Sequence, residues 1–91
     1  MFKVLEKHLH SHLLNRMESR GISKEEIENV LNQGSVLSDA KPGTIGKVLV
    51  FPFNDEWEGN YYQKKEVKVY YKVIDDEIII LTAIARYGEL F

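Results

Sequence analysis

The sequence predicts one α+β domain in which two N-terminal helices pack on an antiparallel sheet of three to four strands. Apolar residues recur at helical spacing in the first third of the chain, and near residue 35 this period changes to strand-like alternation. The chain has 91 residues, 44% of them apolar, which is enough for one hydrophobic core and too little for two. We therefore expect a single domain over residues 1–91.

The first helix is predicted from Lys3 to Arg20. Four apolar residues in it are spaced by four positions and form one stripe, namely Leu5, Leu9, Leu13 and Met17. Gly21 fits the left-handed position that ends a helix, and Ile22 can pack back on Met17. The helix is therefore expected to end at Gly21 with a positive φ.

The second helix is predicted to begin immediately afterwards. Ser23 and Glu26 have the spacing of a capping box, and the apolar pair Ile22 and Ile27 forms a hydrophobic staple around it. Gly34 closes this helix. Because one helix ends and the next begins within three residues, a tight angle between them is expected.

Two segments rich in Val, Phe and Tyr, Lys47 to Phe53 and Glu66 to Ile74, predict strands. Residues 54–60 have the composition of a longer hairpin loop. The segment Glu77 to Tyr87 is apolar on both faces in its first half, so we expect it to be a central strand. Pro52 lacks an N–H donor and places its own strand at an edge at that point.

Composition excludes several classes of function. Twelve Lys+Arg against fourteen Asp+Glu give a net charge of −2, without the global basic excess of a generic nucleic-acid binder, although a local basic face remains open. No cysteine is present for a disulfide scaffold or a thiolate site. Neither a signal peptide nor a membrane span is evident, so a cytoplasmic protein without membrane contact is expected. Glycine-rich phosphate loops are absent, and no cofactor is expected.

The first helix carries the residues that most suggest chemistry. His12 adjoins Arg16 and is a candidate general acid or base, with a histidine bonded to backbone or solvent as the alternative. Arg16 projects near the apolar stripe, where it either extends over its own stem or faces an anion. His8 and His12 have the spacing of two metal ligands, but no third ligand follows and no metal is expected.

The last two predicted strands carry a second set of candidates. Lys68, Tyr70 and Lys72 alternate on the polar face of one strand, and residues 61–72 carry a local charge of +3 from four lysines and one glutamate. One interpretation is a surface that binds RNA phosphates, with a base stacked on Tyr70. The alternative is an ordinary solvated face whose lysines discourage pairing with another strand. Arg86 and Tyr87 must point to opposite faces.

Two expectations about tertiary contacts follow. Arg16 on the first helix and Arg86 at the rim of the last strand are expected to border one cleft. Trp57, with Tyr61 and Tyr62 nearby, is either an anchor for a protein partner or part of an aromatic cluster at the end of a hairpin.

The residues that carry a family resemblance are His12-x-x-x-Arg16-Met17-x-x-Arg20-Gly21-Ile22-Ser23, Glu26-Ile27, Gly34 and Leu81-Thr82-Ala83-Ile84-Ala85-Arg86-Tyr87-Gly88. Together they resemble the uncharacterised bacterial family called domain of unknown function 4258, from about Lys7 to Gly88. That family is in turn similar to the RelE/ParE toxins, in which two helices precede an antiparallel sheet. Many of those toxins cleave RNA on the ribosome without metal, and others act on gyrase.

The resemblance implies a phosphate-binding role for Arg86, a terminal-tyrosine role for Tyr87, and lysine counterparts in Lys68 and Lys72. It also implies a small antitoxin-like protein as a partner. The acidic pI and the lack of a basic C-terminal tail depart from the toxin pattern.

The leading hypothesis is a metal-independent, RNA-directed toxin or ribonuclease-type module of RelE-like architecture. Its catalytic candidates are His12, Arg16, Arg86 and Tyr87. Its RNA-binding candidates are Lys68, Tyr70 and Lys72. The alternative is a non-catalytic module that binds a protein partner through the sheet face or the loop at Trp57.

Overall fold

The computed structural model describes residues 1–91 and contains two α-helices followed by a four-stranded antiparallel sheet. A short 3-10 turn (Glu6–His8) precedes the elements α1 (Ser11–Arg20), α2 (Lys24–Gln33), β1 (Ser35–Leu37), β2 (Ile45–Trp57), β3 (Asn60–Ile74) and β4 (Glu77–Gly88). The strand order is β1-β2-β3-β4. The predicted α+β class is confirmed. At ten residues each, neither α-helix is long enough to cross a membrane.

The hydrophobic core lies between the helices and one face of the sheet. Eleven buried residues form it: Val4, Leu13, Ile22, Ile27, Val30, Leu31, Val67, Val69, Tyr71, Ile80 and Ala83. On β3 the buried members are alternate residues, because successive strand residues point to opposite faces. The helices therefore cover one face of the sheet only.

The junction between α1 and α2 matches its prediction. Gly21 has a φ of 68°, and the N–H of Ile22 donates to the carbonyl of Met17 at 2.9 Å, which is the hydrogen bond of a Schellman motif. The Ser23 hydroxyl accepts from the N–H of Glu26, and the Glu26 carboxylate accepts in return from the N–H of Ser23. Both helix ends are thus fixed by local hydrogen bonds.

The start of α1 was predicted wrongly, because the helix begins at Ser11 rather than at Lys3. His10 precedes it in an extended conformation, and its ring nitrogen Nδ1 accepts a hydrogen bond from a backbone N–H in the first turn. The residues before the 3-10 turn instead lie beside α2, where the N–H of Val4 donates to the Glu28 carboxylate at 2.8 Å. The apolar residues between Lys3 and Arg20 therefore belong partly to the segment that contains the 3-10 turn and partly to α1, not to one continuous helix.

The predicted central position of the last strand is also wrong, because β4 is an edge strand that pairs only with β3. One of its faces lies against α1, and Ile80 is buried there, while Ile79 remains 38% exposed. Side chains of α1 bind carbonyl groups of β4, with His10 Nε2 donating to Ile80 O and Arg20 Nη1 to Ala83 O. These bonds satisfy groups that an edge strand leaves unpaired.

The long hairpin loop predicted over residues 54–60 does not form. The strands β2 and β3 continue to a tight turn at Glu58 and Gly59, which have φ values of 51° and 87°. Asn54 belongs instead to a bulge, where the register of β2 shifts between Pro52 and Asp55.

The prediction that Pro52 lies at an edge agrees with the sheet. β1 is only three residues long and pairs with Gly46, Lys47 and Val48 of β2. Beyond Val48 the outer side of β2 has no neighbouring strand, so Pro52 lies at the edge of the sheet.

Candidate nucleic-acid interface

The face of the sheet that the helices leave uncovered is here called the open face. Its central row is formed by alternate residues of β3, namely Lys64, Glu66, Lys68, Tyr70 and Lys72. Their strand partners on either side include Val48, Val50, Pro52, Ile84 and Arg86. The three residues predicted to bind RNA, Lys68, Tyr70 and Lys72, therefore lie side by side on one surface.

The open face is positively charged, although the whole chain is acidic. Among residues 64–72 of β3 on this face and their strand partners, the cations are Lys64, Lys68, Lys72 and Arg86, and the one carboxylate is Glu66. The loop before β2 adds one charge of each sign beside Tyr70, from Asp39 and Lys41. Four cations and one acid give +3, so the remaining residues of a chain with a total of −2 carry −5. Arg86 Nη2 lies 3.2 Å from Glu66 Oε2, so the acid is already neutralised by its strand partner. The three lysines form no ion pair.

Lys65 does not belong to this charged surface, although the count over residues 61–72 includes it. It is 3% exposed and lies under the junction of the two helices. Its Nζ donates to Glu26 Oε1 at 2.8 Å and to the carbonyl of Gly21. Lys65 is in phase with the buried residues Val67 and Val69, so the alternation already contained the signal for its burial.

Tyr70 lines a groove of about 390 Å³ on the open face, called the Tyr70 groove below. Its other lining residues come from the loop between β1 and β2 and from β4, and they are Asp39, Ala40, Lys41, Thr44, Leu81, Thr82 and Ile84. The ring also lies so close to Gly46 that a Cβ there would be 2.8 Å from Tyr70 Cε1. Sequence reasoning missed this loop because no local pattern links it to β4.

The four residues predicted to be catalytic are not brought together. His12 and Arg16 are exposed on α1, in the helix layer. Arg86 lies on the open face, whereas Tyr87 points toward the helices. The cleft expected between Arg16 and Arg86 does not form, because residue 86 is out of phase with the positions of β4 that α1 covers.

Tyr87 is held as a neutral hydrogen-bond donor. Its hydroxyl donates to the carbonyl of Arg20 at 2.7 Å. Burial, and to a smaller extent the charges of Glu26 and Glu58, raises the pKa of Tyr87 from 10.0 to about 12. At neutral pH the phenolate form that would accept a proton from a ribose hydroxyl is therefore negligible.

Trp57 packs within the protein beside Tyr87. The two rings are stacked, with centroids 5.1 Å apart and an angle of 13° between their planes. Phe53 and Tyr62 also contact the Tyr87 ring, and the Lys65 ammonium lies 5.5 Å from its centroid. The geometry is that of an aromatic cluster at the end of the β2–β3 hairpin, whereas Tyr61 is exposed beside it.

The histidines do not form a metal-binding arrangement. His8 lies in the 3-10 turn and accepts a hydrogen bond from the N–H of Leu5, whereas His12 lies in α1, so their expected helical spacing is lost. No group of three or more His, Asp or Glu side chains is placed to hold a metal ion.

Comparison of the amino-acid sequence with known proteins shows the family of this chain. No curated protein and no solved structure matches the chain significantly. The family described as Domain of unknown function (DUF4258) matches residues 9–85, which span both helices, the first three strands and most of β4. The chain therefore belongs to the DUF4258 family.

Proposed function

We propose that this protein is an RNA-directed module that binds the phosphate backbone of RNA on the open face of its sheet. The observation that carries the proposal is the row of three unpaired lysines, Lys64, Lys68 and Lys72, on a strand whose one acid on that face, Glu66, is paired with Arg86. RNA phosphates attract such lysines because binding releases counterions. The acidic remainder of the chain repels the backbone elsewhere and directs it to this face.

The spacing of the row suits an extended strand of RNA. Alternate residues of a β-strand lie about 7 Å apart, so Lys64 and Lys72 are separated by about 26 Å along β3. That length spans several phosphates of a single strand. The face carries no helix above it and leaves room for the ligand.

We further propose that the module is a metal-independent toxin or ribonuclease of RelE/ParE type acting in the cytoplasm. The order of elements, two helices before an antiparallel sheet, is the one that the RelE/ParE resemblance implies. In this proposal the ribose 2′-oxygen bonds to phosphorus and the bond from phosphorus to the 5′-oxygen breaks, with water taking the proton of the 2′-hydroxyl and supplying one to the leaving 5′-oxygen. Arg86 and Lys68 stabilise the negative charge that develops on the phosphoryl oxygens. His12, Arg16 and Tyr87 take no part, because they lie away from the open face. A small antitoxin-like protein would act by covering the same surface.

The test measures RNA affinity by fluorescence anisotropy with a labelled 12-nucleotide single strand. The double variant Lys68→Gln/Lys72→Gln is expected to bind more weakly. Its slope of log K against log salt should be smaller in magnitude by about 1.4, since each contact on a single strand contributes about 0.7. The matched control Lys3→Gln/Lys24→Gln removes two exposed lysines of the helix layer and should change neither quantity. Equal losses in both doubles would contradict the proposal, as would binding that is independent of salt.

Toxin activity is tested separately by growth after induced expression. The wild type should arrest growth, and the triple variant Lys68→Gln/Lys72→Gln/Arg86→Gln should not. Purified protein should cleave RNA with a chelator present. Normal growth after expression of the wild type would contradict the proposed toxin activity. If the wild type, but not the lysine variant, bound a protein and neither bound RNA, the partner-binding alternative would be supported.

A further inference from the structure

We infer that the Tyr70 groove takes one unpaired base of the bound RNA, so that the protein selects single-stranded RNA over duplex. This inference rests on the proposed function and specifies its substrate class. The evidence is the position of the groove within the row of lysines, the chemistry of its walls and its rigidity.

The position of the groove suits a base whose phosphates are bound on both sides. Tyr70 lies midway between Lys68 and Lys72 on β3, about 7 Å from each along the strand. A backbone that follows the two lysines therefore passes over Tyr70. At Tyr70 the groove is bounded by residues 39–44 of the loop before β2 and by Leu81, Thr82 and Ile84 of β4, so a base can turn from the backbone into it there.

The walls of the groove match the chemistry of a nucleobase. Tyr70, Leu81 and Ile84 supply aromatic and aliphatic surface, which suits the faces of the base. Asp39 and Thr82 supply groups that donate and accept hydrogen bonds at its edge. The volume of about 390 Å³ lies within the range of small-molecule sites and exceeds what one base occupies.

The groove is already formed without a ligand. The Tyr70 ring rests against Gly46, where any larger residue would collide with it. The loop that forms one wall of the groove is held by two hydrogen bonds. The N–H and the hydroxyl of Thr44 both donate to the carbonyl of Lys41, at 2.9 Å and 2.6 Å. A preformed site loses less conformational freedom on binding.

Duplex RNA cannot use the groove in this way. Its bases are stacked and paired, and its backbone alone meets the protein surface, so only the lysine contacts remain. A single strand adds stacking on Tyr70, which is worth roughly a tenfold gain in affinity.

The test compares a 12-nucleotide single strand, a 12-base-pair duplex and a 12-nucleotide strand with abasic sugars, all measured by anisotropy at the same salt concentration. Ala40→Trp places an indole in the groove without changing the charge. It is expected to weaken binding of the single strand about tenfold and to leave the duplex and the abasic strand unchanged. Ser38→Trp adds the same side chain to the same loop outside the groove and should change none of the three.

A second pair of variants tests the groove independently, in case Ala40→Trp disturbs the fold. Tyr70→Leu should lose the same preference for the single strand, and Tyr70→Phe should keep it, with folding of each checked by circular dichroism. If Ala40→Trp and Tyr70→Leu bind single strand and abasic strand as the wild type does, the groove inference is wrong. The salt slope of Lys68→Gln/Lys72→Gln then still decides the proposed function on its own.

Discussion

Arg86 and Tyr87 are neighbours on β4, yet their side chains act on opposite faces of the sheet. The Arg86 guanidinium pairs with Glu66 on the open face at 3.2 Å, whereas the Tyr87 hydroxyl donates to the carbonyl of Arg20 beneath the helices at 2.7 Å. A substitution at Arg86 should therefore alter RNA binding, and one at Tyr87 should alter stability.

Tyr87→Phe is expected to lower the free energy of unfolding by about 1 kcal/mol at pH 7, because one hydrogen bond to Arg20 is lost. RNA affinity should not change. The folded pKa of about 12 lies above the ordinary value of 10.0, so the stabilising contribution of this hydroxyl is complete below pH 10 and is lost as the pH rises to 12. Urea unfolding should show the difference between wild type and variant shrinking over that range. A constant difference would contradict the assignment.

Charge changes within the pair Glu66 and Arg86 should act on RNA affinity in opposite directions. Arg86→Gln removes a cation and leaves Glu66 unpaired, so binding should weaken and the salt dependence should become shallower. Glu66→Gln removes the one acid from the row of lysines on β3, so binding should tighten. Anisotropy titrations across salt concentrations measure both effects. Weaker binding by Glu66→Gln would place the RNA elsewhere.

Gly21→Ala is expected to destabilise the protein by more than about 2 kcal/mol. The positive φ of 68° alone costs about 1–2 kcal/mol for a residue with a Cβ, and here the Cβ would also lie 2.6 Å from the Trp57 ring. Gly43→Ala is the matched control, since Gly43 has a φ of 84° and nothing within 4 Å of a Cβ. Chemical denaturation of both variants isolates the collision with Trp57. Equal losses at the two positions would show that Trp57 does not press on Gly21.

Lys65→Met should be strongly destabilising, by about 3 kcal/mol, because it leaves the partly buried Glu26 carboxylate without its cation. Glu26→Gln should cost less, since Lys65 keeps its bond to the carbonyl of Gly21. The double variant should be less unstable than the two losses added together. Additive losses in a double-mutant cycle would mean that the ion pair contributes nothing.

The helix junction and the two faces of β3 could be predicted from sequence because their signals are local. Gly21, Ser23 and Glu26 specify two helix ends through hydrogen bonds within six residues. The alternation around Val67 and Val69 fixes which residues face outward. These features depend on backbone geometry alone and need no knowledge of the distant chain.

Strand order and the grouping of side chains could not be predicted in the same way. The apolar run at Ile78 to Leu81 is compatible with a central strand and equally with an edge strand covered by a helix, and α1 provides that cover. The position of Arg86 relative to Arg16 depends on which face the helices take. The Tyr70 groove depends on a loop more than 25 residues away from Tyr70 in sequence.

The double variant His12→Ala/Arg16→Ala should bind RNA with unchanged affinity and should remain toxic if the wild type is toxic. Both side chains are exposed in the helix layer, and no hydrogen bond or ion pair ties either one to the open face. Substituting exposed residues of this kind changes stability by about 0.5 kcal/mol or less, so the fold should be retained. Anisotropy with the 12-nucleotide strand and growth after induction provide the two readouts, with Lys68→Gln/Lys72→Gln as the comparison that does lose binding. A loss of RNA affinity in the helix variant equal to that in the lysine variant would move the interface from the sheet to α1.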